Sequence, residues 1–486
     1  MIFLSCLLSA GLLAFSFPQT ECSWLAWFAL VPLLTTLDGQ KPWTAFRRAY
    51  LCGFLFFAVT LGWFVYVTYP GAILLVAFLS LYFAVFAFLF IYFQCLQVIP
   101  RIFILAASWV ALEFVRGHLF TGFGWVMLGH TQYKNLWLIQ IADMTGVYGV
   151  SFLVILVNLL IFESWRARTI LVKPALVVLA IISLVLIDGW HITNVKKIYA
   201  TVKIGLVQPN IPLAVDWDES KKPWIVAKSI QLTENFRDQQ LDLIVWPETS
   251  LPGLISNAPL LTHEIQSTAA NIHTPILIGS IANEGDKYYN SAFLIGDDRQ
   301  MKGRYDKIHL VPFGEFLPLR PILGWINKFV PFDDFNSGTT YKIFSISPQG
   351  KKFGVLICFE DTLGYLRRNF ANAGADFFVN MTNDAWFNDT KAPFIHLQAA
   401  VFGCVENHRS LARAANTGVS ALVDPWGRII NTVHNEQGKK TFIAGDTWGE
   451  LPINHEKTIY TKLGDVFTYL CFLCILIGVR LRKSAY

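Results

Sequence analysis

Three short strings carry the residue types that acyl chemistry needs. Glu248 ends Ile244-Val-Trp-Pro-Glu, Lys307 lies in Gly303-Arg-Tyr-Asp-Lys-Ile-His-Leu-Val-Pro-Phe-Gly-Glu-Phe316, and Cys358 lies in Gly354-Val-Leu-Ile-Cys-Phe-Glu-Asp361. A thiol is a competent nucleophile, a carboxylate can take its proton, and an ammonium can stabilise the oxyanion formed when a carbonyl is attacked. Glu248 and Cys358 follow apolar runs directly, where α/β sheets collect reactive groups. A helical segment follows Cys358, and a helix N-terminus favours thiolate over the ordinary thiol pKa of about 8.5. Cys404, in Val401-Phe-Gly-Cys-Val-Glu406, falls inside a helical run and reads as buried core. No metal or cofactor is expected, because no HExxH occurs and the ten histidines lack zinc-ligand spacing.

Short buried strands must position these groups. Thr201 to Val207, Leu243 to Trp246, Pro275 to Gly279, Phe353 to Ile357 and Asp376 to Asn380 are apolar runs bounded by turn residues. Between them, Pro223 to Asp238, Asn257 to Asn271 and Thr362 to Ala375 have apolar residues at helical spacing, which predicts an α/β sheet with helices on its faces.

The flanks differ in kind. The chain has 486 residues, 54% hydrophobic and 15% charged, which places it among membrane proteins. Its 15% aromatic content excludes disorder. Glu21, Asp38, Glu113, Asp143, Glu163 and Asp188 are the acidic residues before position 189, and Asp465 is the one after 462. The formal charge of +5 therefore comes from the membrane-flanking parts, so no basic face for nucleic acid is implied.

Spans are predicted near 2–17, 23–38, 50–68, 71–93, 101–117, 146–163, 169–187 and 463–480. Residues 1–17 lack the basic start of a secretory signal and read as a retained helix. With eight spans, Lys41, Arg47 and Arg48, then Arg101, then Arg166, Arg168 and Lys173, then Arg480, Arg482 and Lys483 all fall on one side, the cytoplasm. The expected domains are a seven-helix transmembrane domain over 1–188, an extracytoplasmic catalytic domain over 189–462, and a last helix with a cytoplasmic tail over 463–486. Cys471-Phe-Leu-Cys474 lies in an apolar helix without a redox context and reads as structural. Leu317 to Phe332 is apolar enough to be an arm dipping into the membrane interface.

Taken together, the three strings resemble the nitrilase superfamily. With membrane spans on both sides, they resemble its membrane-embedded branch, the apolipoprotein N-acyltransferases. Trp109-Val-Ala-Leu-Glu-Phe-Val-Arg-Gly117, Ile139 to Phe152, Val207-Gln-Pro-Asn-Ile-Pro212 and Asn383-Asp-Ala-Trp-Phe387 extend the likeness over essentially the whole chain. The resemblance implies an αββα sandwich carried on about eight transmembrane helices, with Glu248, Lys307 and Cys358 as a Glu-Lys-Cys triad. It also implies that Glu315, Glu360 and Asn290 support the site and that Trp217 is an aromatic near the substrate entrance. Phe359 stands where the family often has tyrosine.

The implied reaction moves an acyl chain from a membrane phospholipid, through a cysteine thioester, to the free α-amine of S-diacylglyceryl-cysteine in an apolipoprotein. The implied partners are the phospholipid donor, the diacylated acceptor and the bilayer, with a monomer acting in the bacterial inner membrane and its catalytic domain facing the periplasm. Two other readings use the same residues differently. A membrane-tethered amidase would employ the triad with water as acceptor, although one span would suffice to anchor it. A transporter would need ionisable groups near the bilayer midplane, where Glu113, three residues before Arg116, stands almost alone.

Overall fold

The structure, a computed structural model, describes residues 2–18, 20, 22–194, 200–216, 219–317, 320, 334–346 and 350–484. Trp217 and nearly all of the 317–332 segment lie outside them. The chain divides into two compact units, one of Met1–Lys197, Thr390–Glu406 and Thr458–Tyr486, the other of Ile198–Asp389 and Asn407–Lys457.

The first unit is helical, with α1 (Ile2–Phe15), α2 (Val31–Leu37), α3 (Pro42–Leu61), α4 (Tyr69–Tyr92), α5 (Val98–His118), α6 (Val147–Ala167) and α7 (Val172–Asn194). Residues 392–406 and the helix Val466–Lys483 also belong to it. Among the described residues, five helices are long and apolar enough to cross a membrane, namely Pro42–Tyr66, Tyr69–Tyr92, Val98–His118, Val147–Ala167 and Val172–Asn194.

Residues 23–38, expected as one helix, are broken into a 3₁₀ turn, Ser23–Trp27, and α2. Pro32 sits in the first turn of α2, where its missing N–H leaves no intrahelical bond unmade. Asn158 of α6 stitches the break: its Nδ2 donates to the Ala26 carbonyl and the Leu30 N–H donates to its Oδ1, both at 2.8 Å. Irregular backbone persists at membrane depth only when its freed polar groups find such partners.

Arg101, expected in a cytoplasmic loop, instead lies in the first turn of α5 and is buried. It donates to the carbonyls of Gln94 at 2.8 Å and Leu96 at 3.1 Å and pairs with Glu163 of α6. Its charge is consumed inside the helical packing, so it does not act as a free loop cation. Glu113 accepts from Trp109 Nε1 at 3.1 Å and from the Leu128 N–H at 2.7 Å. Arg116 donates to the carbonyls of Trp125 and Val126, both at 3.2 Å. The two residues brace the 125–128 loop, which accounts for their ionisable side chains without a transport pathway.

The second unit holds β1 (Ala200–Gln208), β2 (Leu243–Val245), β3 (Ile276–Glu284), β4 (Lys287–Ile295), β5 (Met301–Asp306), β6 (Ile343–Ile346), β7 (Lys351–Ile357), β8 (Phe377–Thr382), β9 (Ser410–Ala415), β10 (Ala421–Val423), β11 (Ile429–Thr432) and β12 (Gly445–Ile453). They form two six-stranded sheets, ordered β12-β1-β2-β3-β4-β5 and β11-β10-β9-β8-β7-β6. Strands β1 and β12 touch β9 and β10, so the sheets pack on each other. Lys222–Glu234 and Pro259–Ile272 cover the first sheet, and Gly364–Asn372 covers the second, giving a helix–sheet–sheet–helix sandwich. All five strands expected from the apolar runs are present. The pairs β1/β2, β2/β3, β7/β8 and β8/β9 are parallel, and their central residues are nearly all buried.

Gly279 of β3 allows a close approach beside Glu248. A Cβ there would come 2.7 Å from Thr249 N, 3.0 Å from Glu248 Cα and 3.0 Å from the Pro247 carbonyl. All three are backbone atoms that cannot rotate away. Gly279→Ala is therefore expected to cost about 1–3 kcal/mol by overpacking and to displace Glu248. Thermal unfolding of the purified protein, read together with the position of Glu248 in a structure of the variant, checks both effects.

Candidate active site

Each expected group stands at the end of a strand that cannot move easily. Glu248 follows β2 and Pro247, and Thr249 beside it has a left-handed backbone, φ 54°. Lys307 follows β5, where its N–H donates to the Asn290 carbonyl at 2.9 Å and its own carbonyl accepts from Gly338 N–H at 2.8 Å. Cys358 follows β7 with φ 53°, a conformation that a non-glycine residue adopts at a cost. The sharp turn takes the chain straight from the buried strand Val355–Leu356–Ile357 into a 3₁₀ turn, Cys358–Thr362.

The structure brings Glu248, Lys307, Glu315 and Asn290 together. Lys307 Nζ is 2.9 Å from Glu315 Oε1 and 3.8 Å from Glu248 Oε1. Asn290 Nδ2 donates to Glu248 Oε1 at 2.8 Å and to Glu315 Oε1 at 2.9 Å, so its two hydrogens clamp both carboxylates. The Asn383 N–H donates to Glu248 Oε2 at 3.0 Å, and the Val311 N–H donates to Glu315 Oε2 at 2.9 Å. Lys307 is 1% exposed, so its charge depends on these partners.

Glu360 works from behind. It is fully buried, and Oε1 accepts from the N–H groups of Ile308 and His309 at 2.8 and 3.0 Å while Oε2 accepts from the Ile357 N–H at 2.7 Å. Tyr305 OH lies 2.9 Å from both oxygens. One carboxylate thus ties the residue before Cys358 to the two residues after Lys307. Phe359 is partly exposed, with its ring 6.0 Å from that of His309, whose Nδ1 is 3.0 Å from Tyr365 OH. Trp217 lies outside the described residues.

Protonation follows from burial and charge. Burial pushes the Glu248 carboxyl above its ordinary value, with Lys307 opposing the rise. Burial also disfavours the Lys307 ammonium, but Glu315 and Glu248 outweigh it and hold the lysine above its ordinary value. The Cys358 thiol is pushed up, first by burial and then by Glu248, with Lys307 acting in the opposite sense. This is opposite in sense to the lowering that a following helix would give. The turn after Cys358 is a short 3₁₀ segment, and desolvation beside a carboxylate outweighs any end-of-helix field. Burial and Glu248 together favour the protonated form of the sulfur.

Sequence reasoning assigned no role to Asn380, Thr382, Asp384 or Arg413, and Asn383 appeared only within a family string. A detectable signal was Arg413 itself, a charged residue in the otherwise small and apolar run Ser410–Ala415.

Residues 9–160 match the family profile described as the apolipoprotein N-acyltransferase N-terminal domain, and residues 203–445 match carbon-nitrogen hydrolase. An apolipoprotein N-acyltransferase from Geobacter metallireducens is 36% identical over 96% of this chain and 93% of that protein. The chain belongs to the apolipoprotein N-acyltransferase family. Apolipoprotein N-acyltransferases from Methylococcus capsulatus, 31% identical over 86% of this chain and 84% of theirs, and from Chlorobaculum tepidum, 28% identical over 98% and 96%, extend the likeness. The matches run through both compact units, so the helical unit is as much a part of the family as the sandwich.

Replacing Glu360 tests the tie between two strand ends of this family member. Burial raises its carboxyl to about 7, against the opposing N–H donors. An acid raised in the folded state adds most stability below its ordinary value near 4.5 and loses it as pH rises from there to about 7. Glu360→Gln should flatten that decline in a pH series of unfolding temperatures. Its amide cannot accept on both sides, so above pH 7, where the parental group is a carboxylate, it should also cost about 1–3 kcal/mol.

Proposed function

We propose that this protein is an acyltransferase. It moves an acyl chain from a membrane phospholipid to the N-terminal α-amine of S-diacylglyceryl-cysteine in an apolipoprotein, through a thioester on Cys358. The observation that carries this reading is the buried Glu248–Lys307–Glu315 cluster acting on the Cys358 thiol, in a chain aligned with N-acyltransferases over nearly its full length.

In the first half-reaction Glu248 takes the thiol proton as sulfur bonds to the ester carbonyl carbon, and the C=O electron pair moves onto oxygen. Lys307, which keeps its proton because two carboxylates hold it, stabilises that oxyanion. Collapse restores the carbonyl and breaks the ester C–O bond. The departing glycerol oxygen takes the proton from Glu248 and leaves as lysophospholipid. In the second half-reaction the neutral acceptor amine attacks the thioester and Glu248 accepts a proton from nitrogen. The C–S bond then breaks, the leaving sulfur takes that proton back from Glu248, and the product is an amide. Proton transfer inside the pocket conserves its total charge, so a neutral thiol beside a carboxylate can be activated without delivering an extra charge to a dry site. Glu315 and Asn290 orient Lys307 and Glu248.

The matching N-terminal domain argues against a simple tethered amidase, for which one anchoring helix would be enough. The five long helices, with α1, the 23–37 segment and Val466–Lys483, fit eight spans. The basic groups at 41–48, 166–173 and 480–483 support their placement on the cytoplasmic side of the bacterial inner membrane. On that reading 1–188 and 463–486 are membrane segments of a monomer, and 189–462 is a periplasmic catalytic domain. Working within the bilayer spares lipid substrates the exposure of acyl chains to water, at about 0.8 kcal/mol per CH₂.

Intact-protein mass spectrometry of enzyme purified from membranes should find one acyl chain on Cys358. Cys358→Ala should abolish it and Cys404→Ala should leave it, since Cys404 is buried in the helix Ala392–Asn407. Loss of the adduct in folded Cys404→Ala, or release of free fatty acid in place of amide, would contradict the proposal.

Roles divide by pH. Glu248→Gln should slow single-turnover acylation by about 10²–10⁴-fold and recover partly at alkaline pH, where the thiol ionises without a base. Lys307→Met should lose about 10²–10³-fold with no such recovery, because alkali does not replace a cation. Equal alkaline rescue of the two variants would reverse this division.

A further inference from the structure

The parallel register of β7 and β8 sets Ile357 beside Met381, so one residue further on Thr382 comes beside Cys358. Thr382 is fully buried, and its hydroxyl is near enough to the thiol to favour the ionised sulfur. The same hydroxyl lies 3.2 Å from Asp384 Oδ1. Asp384 Oδ2 accepts from Arg413 Nη2 at 3.2 Å, and Arg413 Nη1 donates to Asp361 Oδ2 at 2.7 Å and to Asn380 Oδ1 at 2.6 Å. Asn380 Nδ2 in turn donates to the carbonyls of Leu356 at 3.1 Å and Cys358 at 3.2 Å. One buried guanidinium therefore supports Cys358 twice, through the backbone by way of Asn380 and through the thiol by way of Asp384 and Thr382.

A threonine hydroxyl has one hydrogen and two lone pairs. With sulfur protonated, S–H can donate to Thr382 Oγ1 while the hydroxyl donates to Asp384. Once the proton leaves sulfur, the sulfur atom has no donor on this side unless that hydroxyl turns. Arg413 shares the charge of Asp384, so the carboxylate holds the hydroxyl less strongly and the turn is inexpensive. We propose that Thr382 is a further catalytic group of the acyl transfer, accepting from the Cys358 thiol at rest and donating to its sulfur as the proton passes to Glu248, with Arg413 and Asp384 as its positioning residues. This rests on the reading of Cys358 as the nucleophile. The charged groups acting on the thiol are Glu248, Lys307 and Asp384.

Thr382→Val keeps the shape and removes the hydroxyl, and Thr382→Ser keeps the hydroxyl. In the full-length protein in detergent, alkylation of Cys358 by iodoacetamide, located by peptide mass, is followed across pH beside single-turnover thioester formation. Thr382→Val should move the alkylation midpoint up by about one pH unit, the size expected for loss of one hydrogen bond to a charged group. It should also slow acylation about tenfold, while Thr382→Ser recovers most of both. A purely structural role would lower the unfolding temperature and leave the alkylation midpoint in place. If the valine variant does not fold, Thr382→Ala is read in the same way. Parental alkylation and acylation in Thr382→Val, or equal impairment of Thr382→Ser, overturns the proposal. Acyl transfer surviving in Cys358→Ala would instead sink the underlying assignment of the nucleophile.

Discussion

An ammonium group withdrawn almost completely from water must be paired, and Lys307 is paired twice, with Glu315 at 2.9 Å and Glu248 at 3.8 Å. An ammonium left with neither carboxylate would be an uncompensated charge in a dry pocket, a loss of about 3–5 kcal/mol. Most of the site can be understood as what keeps this triplet intact. Asn290 gives one amide hydrogen to each carboxylate, and the Val311 and Asn383 N–H groups fill the remaining acceptor positions. Burial first, and the charge of Glu248 after it, push the neighbouring thiol up, while Lys307 acts in the opposite sense.

Two sheets feed this arrangement. Glu248 leaves the carboxyl end of β2, between parallel partners in the first sheet, and Cys358 leaves the carboxyl end of β7, parallel to β8 in the second. Strand ends of this kind leave side chains unburied by sheet neighbours while the backbone stays anchored. Gly279 permits the close passage of Pro247–Thr249, and Glu360 links Ile357 to Ile308 and His309. Strain at Cys358, visible in its left-handed φ, is borne by the Asn380 bonds to the Leu356 and Cys358 carbonyls.

The helical unit obeys a related rule in a different solvent. Its breaks and charges survive because each finds a partner within the packing: Asn158 for the backbone around Ala26 and Leu30, Glu163 for Arg101, and the 125–128 loop for Glu113 and Arg116. Buried polar groups that hold irregular backbone explain ionisable residues in this unit more economically than movement of a solute.

The pattern of residue types alone determined the division into apolar helices and an α/β domain, because apolar runs of about 20 residues and of about 5 residues are physically different objects. It also located Glu248 and Cys358 at strand ends, since that position is a local property of an apolar run followed by a polar residue. Long-range pairing lay beyond it. That Asn290 would clamp two carboxylates 42 and 25 residues away, or that Arg413 would reach Asp361, Asn380 and Asp384, depends on sheet order and register. Neither is written in any local string. The surroundings of the Cys358 thiol lay beyond it for the same reason: a helix end can be read from neighbours in sequence, but desolvation and the field of Glu248, 110 positions away by number, exist only once the two sheets have closed on each other.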